Sequence, residues 1–90
     1  LPSVLRWNEP ANADRQKIVA RAMGSNAPAW RAVRDFISSL GLPTRLRDVG
    51  VARTQLEGLA QRAMYDHSTQ HNPRPIASAK DVMEILELAW

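Results

Sequence analysis

Trp30, Val33, Phe36, Ile37 and Leu40 recur at steps of three, three, one and three, which aligns them along one side of an α-helix. Arg31, Arg34 and Asp35 fall off that stripe, as solvated residues should. Gly24 lies upstream, and Gly41 with Pro43 downstream, so the helix is punctuated at both ends. Ser25 or Asn26 is the expected N-cap, with Pro28 tolerated in the first turn. No segment of the 90 residues alternates with the period of two that a half-buried strand requires. A bounded helix in a chain without strand signals restricts the fold to an all-α bundle, read here as four to five short helices.

The flanking segments follow the same grammar. Leu1 to Trp7 has the look of a helix tail, and Asn8 to Asn12, containing Pro10, is a predicted break. Asp14 to Met23 is a predicted helix whose apolar face is Ile18, Val19, Ala22 and Met23, with Arg15, Lys17 and Arg21 outward. Leu42 to Val51 is a tight connection in which Thr44 would cap one turn around Leu46. Val49 and Val51 would anchor that connection to the core, and Gly50 would permit the reversal. Periodicity resumes through Leu56, Leu59, Ala60, Ala63 and Met64. Asp66 to Ile76 carries no periodic apolar residue and reads as a loop. Ser78, with Asp81 three residues on, opens a last helix buried through Val82, Ile85, Leu86 and Ala89.

Composition excludes several function classes. The chain has no cysteine, which rules out disulfides and thiolate metal sites and suits a cytoplasmic protein. No stretch approaches the roughly 18 apolar residues of a membrane span, and Leu1 to Trp7 lacks the form of a signal peptide. A first residue other than methionine points to a piece of something longer. The net charge of +3 sits in residues 1–40, where six basic side chains face three acidic ones; residues 41–90 balance at six and six. Ten of the twelve basic residues are arginine, but acids are interleaved from Glu9 to Glu87, which argues for solvated faces rather than a nucleic-acid stripe.

Both histidines fall in Tyr65 to Pro75. His67 and His71 are four apart, a spacing that on a helix would turn two imidazoles to one side as in several metal sites. Asp66 is the nearest further ligand, and no cysteine or third histidine exists to complete a set. Loop-packing or exposed histidines are the simpler reading. Ser68 and Thr69 are hydroxyls without a Gly-x-Ser-x-Gly elbow, and adjacency to His67 does not make a catalytic pair. Asn72-Pro73-Arg74-Pro75 reads structurally: the prolines restrict the backbone and the Asn amide can bond nearby main chain. Arg74 is free to clamp a carboxylate on a neighbouring helix or to face an anion. Isolated glycines give no phosphate loop. Trp7, Trp30 and Trp90 are expected as core or interface anchors rather than ligand-stacking platforms.

Four segments together resemble the iron-containing (group III) alcohol dehydrogenases, which include the maleylacetate reductases. Leu1-Pro-Ser-Val-Leu-Arg-Trp-Asn8 is similar to the end of the family helix that follows its metal-binding histidines. Ile18 to Gly24 resembles the next helix. Leu42-Pro-Thr-Arg-Leu-Arg-Asp-Val-Gly50 resembles the family's Pro…Leu-Arg-Asp turn, and Asn72-Pro73-Arg74 with terminal Ala89-Trp90 resembles its tail. The likeness spans the chain.

That resemblance implies a two-domain parent. An N-terminal α/β domain would bind NAD or NADP, and an all-helical, dehydroquinate synthase-like C-terminal domain would hold Fe²⁺ or Zn²⁺ through an aspartate and three histidines. Residues 1–90 correspond to the distal part of that helical domain. The ligands and glycine-rich cofactor motifs fall upstream of the position of Leu1, so His67 and His71 are not the family's metal ligands. This chain alone would bind neither metal nor cofactor and would be inactive. The resemblance also brings the segment before Asn72 near the substrate cleft, making His67, Ser68 and His71 candidate cleft-lining residues and Asn72, Pro73 and Arg74 a structural loop. Ser68 stands where relatives often have cysteine. Maleylacetate reductases carry an aromatic-rich segment before Asn-Pro-Arg, whereas Ser68-Thr-Gln-His71 is polar, which favours the broader alcohol dehydrogenase group. The expected partners are the parent's cofactor domain, a small alcohol, aldehyde or keto-acid substrate and a second copy in a homo-oligomer, with no nucleic acid and no membrane. Two readings from other classes stand beside it: a stand-alone basic helical module binding protein or nucleic acid, and a metal sensor built on His67 and His71.

Overall fold

The computed structural model describes all 90 residues. Five α-helices, α1 (Pro2–Ala22), α2 (Ala29–Ser39), α3 (Leu56–Ala63), α4 (His67–Gln70) and α5 (Ala79–Ala89), are joined by turns, and no strand is present. Two 3₁₀ turns, Leu46–Val49 and Arg53–Gln55, fill the connection from α2 to α3. The all-α architecture is the predicted one.

The molecule measures 37 × 29 × 17 Å. Two helices packed at an interaxial distance of about 8–10 Å fill most of the short dimension, so no third layer covers them. The helices therefore lie in series, α2 on α1, α1 on α5, and α5 on α3. Such a slab has little interior. Only eight residues are buried, and the apolar core is Trp7, Ala20, Ala29, Leu56, Ala60 and Val82. Alanines at Ala20 and Ala29, one on α1 and one on α2, suit a close approach of those two helices. No helix is long and apolar enough to cross a membrane.

The predicted break at Asn8 to Asn12 is a kink inside one 21-residue helix rather than an interruption. Its non-helical residue is Asn12 (φ −143°, ψ 33°), two positions after Pro10. Proline has no N–H to return to the carbonyl four residues back, and its ring crowds that carbonyl. Gln16 staples the two halves: its buried Nε2 donates to the Leu5 carbonyl at 2.7 Å and to Asn12 Oδ1 at 2.8 Å.

Helices α1 and α2 both end on a left-handed glycine, Gly24 (φ 72°) and Gly41 (φ 75°). In each case the following N–H reaches back to the last turn, Ser25 to Ala20 O at 2.9 Å and Leu42 to Ile37 O at 3.4 Å, the paired closure that a positive φ permits. The start of α2 differs from expectation. Pro28 itself occupies the N-cap position, while Ser25 Oγ accepts from the Ala27 N–H at 3.0 Å and shapes the turn before it. At α5, Asp81 Oδ2 accepts from Ala77 N at 2.8 Å and Ser78 N at 3.3 Å, so the acidic half of the capping box is realised.

Three further expectations are corrected. The face Ile18, Val19 and Met23 is 66%, 43% and 40% exposed, because α1 turns Gln16 and Ala20 inward instead. The α2 stripe is only half covered, with Phe36 and Leu40 exposed. Val49 does not anchor the 42–51 connection and is exposed, and Arg45, not Thr44, precedes the 3₁₀ turn. Periodicity identifies which side of a helix is apolar, but in so thin a molecule the neighbours available do not cover every apolar face.

Candidate functional site

Asp66 to Ile76 is not wholly a loop. Asp66 is extended (φ −78°, ψ 131°), and its Oδ1 accepts from the Ser68 N–H at 2.7 Å, an N-cap that starts the single turn α4. On this turn His67 and His71 approach with ring centroids 4.2 Å apart in an edge-on arrangement. His67, Ser68 and His71 are all exposed. Ser68 is held through its backbone, its N–H by Asp66 and its carbonyl by the His71 N–H. The turn thus offers two imidazoles and a hydroxyl to whatever lies above it.

The segment after the turn is tied to the first helix. Asn72 and Asn8 exchange side-chain hydrogen bonds, Asn8 Nδ2 to Asn72 Oδ1 at 3.0 Å and Asn72 Nδ2 to Asn8 Oδ1 at 2.6 Å. Asn72 Nδ2 also donates to the Arg74 carbonyl at 2.6 Å, closing the Asn-Pro-Arg bend on itself. Arg74 clamps no carboxylate. Its Nη1 donates to the Trp7 carbonyl at 2.8 Å and its guanidinium lies 3.9 Å from the centroid of the Trp7 ring. Trp7 is 4% exposed, and its indole N–H donates to Glu84 on α5 at 3.0 Å. Trp7 therefore joins α1, α5 and the Asn-Pro-Arg bend at one point.

The pairing of Trp7 and Asn8 with Arg74 and Asn72 has no signal along the chain. The pairs are separated by 64 to 67 residues, and no short-range pattern encodes them. The other tryptophans divide. Trp90 is half-buried with its N–H on the Val51 carbonyl at 3.3 Å, whereas Trp30 is half-buried beneath Arg6, Arg31 and Arg34.

No group of three or more His, Asp or Glu side chains converges where it could hold a metal ion. The two imidazoles lack a third donor, so the residues of this chain do not fit a metal site of their own.

The sequence that builds this all-α fold matches one family over its whole length. The family model described as Fe-containing alcohol dehydrogenase family, C-terminal, matches residues 1–90, and the chain belongs to that family. It is 34% identical over 100 aligned positions to a lactaldehyde reductase of Escherichia coli K12, covering all of this chain and 26% of the relative. It is 38% identical over 93 positions to a 4-hydroxybutyrate dehydrogenase of Cupriavidus necator, with 97% of this chain and 24% of the relative covered. With an NADH-dependent butanol dehydrogenase A of Clostridium acetobutylicum it shares 32% over 85 positions, covering 93% and 20%. The chain spans about a quarter of the length of these relatives. No solved structure matches it.

Proposed function

We propose that these 90 residues are the distal part of the helical C-terminal domain of an NAD(P)-linked, metal-dependent alcohol dehydrogenase of the cytoplasm. Within it, they pack the domain and supply one wall of the substrate cleft. The observation that carries this reading is the α4 turn, an exposed polar surface of His67, Ser68 and His71 on a backbone tied down through Asn72 and Arg74 to the buried Trp7. Polar groups on a fixed support suit orientation of a small hydroxyl or carbonyl substrate. The activities for which the relatives are named, on lactaldehyde, 4-hydroxybutyrate and butanol, support alcohols and aldehydes as the substrate class. The polar α4 turn supports the alcohol dehydrogenase branch over the maleylacetate reductases.

The metal, iron or zinc, and the nicotinamide cofactor would be held by residues outside this chain. The exposed faces at Ile18, Val19 and Met23 and at Phe36 and Leu40 are suited to burial against the rest of the parent or a second copy. The chain alone is then catalytically inert.

The test uses the full-length protein, stripped of metal and reloaded with Fe²⁺ or Zn²⁺, with NADH and NADPH oxidation followed against short aldehydes and maleylacetate. The expected result is metal-dependent oxidation, fastest with an aldehyde, and no turnover by residues 1–90 alone. Oxidation under no combination of metal, cofactor and substrate would overturn the proposal; maleylacetate as the best substrate would move it to the other branch.

A further inference from the structure

An open groove of about 660 Å³ runs between the start of α1, α2, the 44–47 turn and the end of α5, and shares no residue with the α4 turn. Arg6, Arg34, Arg45, Arg47 and Arg53 line it, and Glu87 is its one acid. Glu87 is already engaged by Arg53 at 2.6 Å. Arg34 leans on its neighbour Asp35 at 3.4 Å, whereas Arg6, Arg45 and Arg47 have no carboxylate within ion-pair distance. Guanidinium groups drawn from four different parts of the chain thus converge on one concavity, where their fields add.

Two indoles hold four of these five cations in place. Arg6 and Arg34 lie 4.9 and 5.3 Å from the centroid of Trp30, and Arg47 and Arg53 lie 5.1 and 5.0 Å from that of Trp90. A guanidinium resting on a ring keeps its in-plane N–H groups free, and the contact reduces the side-chain entropy lost when an anion binds. The same contacts leave the rings little free face for stacking a base.

We propose that this groove is a binding site for a small molecule bearing two linked phosphate groups, recognised through its pyrophosphate unit. Planar forks match phosphate oxygens two at a time, and several forks around one cavity favour a diphosphate over a single anion. A nucleic-acid strand fits less well, because the positive surplus is confined to one concavity and acids are interleaved elsewhere on the surface.

The experiment is isothermal titration of inorganic pyrophosphate into the full-length protein at low and high salt, without NADH, whose own pyrophosphate would compete for the groove; the arginine variants assign the binding to it. Inorganic phosphate and a short oligonucleotide are run in parallel. The expected result is one salt-sensitive site, weaker for phosphate. The double variant Arg45→Gln/Arg47→Gln should weaken it by at least about tenfold, and Arg45→Lys/Arg47→Lys by less, since charge survives but the fork does not. Arg45 and Arg47 are exposed, so the substitutions leave the core intact, which a circular dichroism spectrum verifies. No binding of pyrophosphate, binding unchanged in the double Gln variant, or binding of the oligonucleotide alone would each overturn the assignment.

Discussion

Replacing Trp7 with alanine is expected to cost about 3–5 kcal/mol of stability, the range for emptying a buried aromatic site. The effect should fall at the upper end here because three interactions go with the ring. The indole N–H loses Glu84 at 3.0 Å, the Arg74 guanidinium loses the surface it lies on at 3.9 Å, and α1 loses its buried contact with α5. The Arg74 bond to the Trp7 carbonyl can survive, since it is made to the main chain. Trp7→Phe separates the terms, keeping a ring beneath Arg74 while deleting the N–H, and should cost about 1.5–3 kcal/mol for the hydrogen bond to a carboxylate plus a small packing loss. Urea denaturation followed by far-UV circular dichroism checks both. A Trp7→Ala midpoint close to that of the unsubstituted protein would mean that the Trp7 junction does not hold the helices together.

Leu56→Ala is the second large effect. Leu56 is 0% exposed, the one large side chain fully enclosed, and it begins α3 with Ala60 one turn further on and also fully buried. Removing its branched end leaves a cavity, for which about 2–5 kcal/mol is expected. With so few buried residues, no larger core exists to absorb the loss by relaxing around it. Leu56→Met conserves volume and should cost less than about 1.5 kcal/mol. The same urea titrations decide it: equal midpoints for the Ala and Met variants would contradict the enclosed position of Leu56.

These two residues show what a sequence does and does not carry. Leu56 opens an apolar series at helical spacing and is expected to be buried. Trp7 is recognisable only as an anchor of unstated partner, because Glu84 and Arg74 lie 77 and 67 residues away. Helix ends were legible at Gly24, Gly41 and Asp81, where the information is local and stereochemical. Faces were less so. Ile18, Val19 and Met23 form a proper apolar side of α1, yet α2 packs elsewhere on it, and no local pattern states which of two faces a neighbour will occupy. The α4 turn carries no apolar periodicity because four residues are too few; its one local signal is Asp66, a good N-cap two residues before the Ser68 N–H from which it accepts. The arginine groove has no signature along the chain, since Arg6, Arg34 and Arg47 meet only after α1, α2 and the 44–47 turn are assembled.

The locked Asn-Pro-Arg bend gives the candidate cleft wall a testable rigidity. Asn72 makes three side-chain hydrogen bonds, two of them with buried Asn8, so the segment that follows the α4 turn is fixed to α1.

Whether His67 and His71 line the substrate cleft of a dehydrogenase is tested most directly by chemical protection. Diethyl pyrocarbonate modifies accessible imidazoles, and trypsin releases both as one peptide, Ala63 to Lys80, because Arg74 precedes Pro75. Labelling of the full-length protein is compared with and without saturating NADH and a short, unreactive alcohol, with NADH fluorescence reporting occupancy. The expected result is a several-fold fall in modification of that peptide when the site is filled. Full modification of both histidines with NADH demonstrably bound would place the α4 turn outside the cleft.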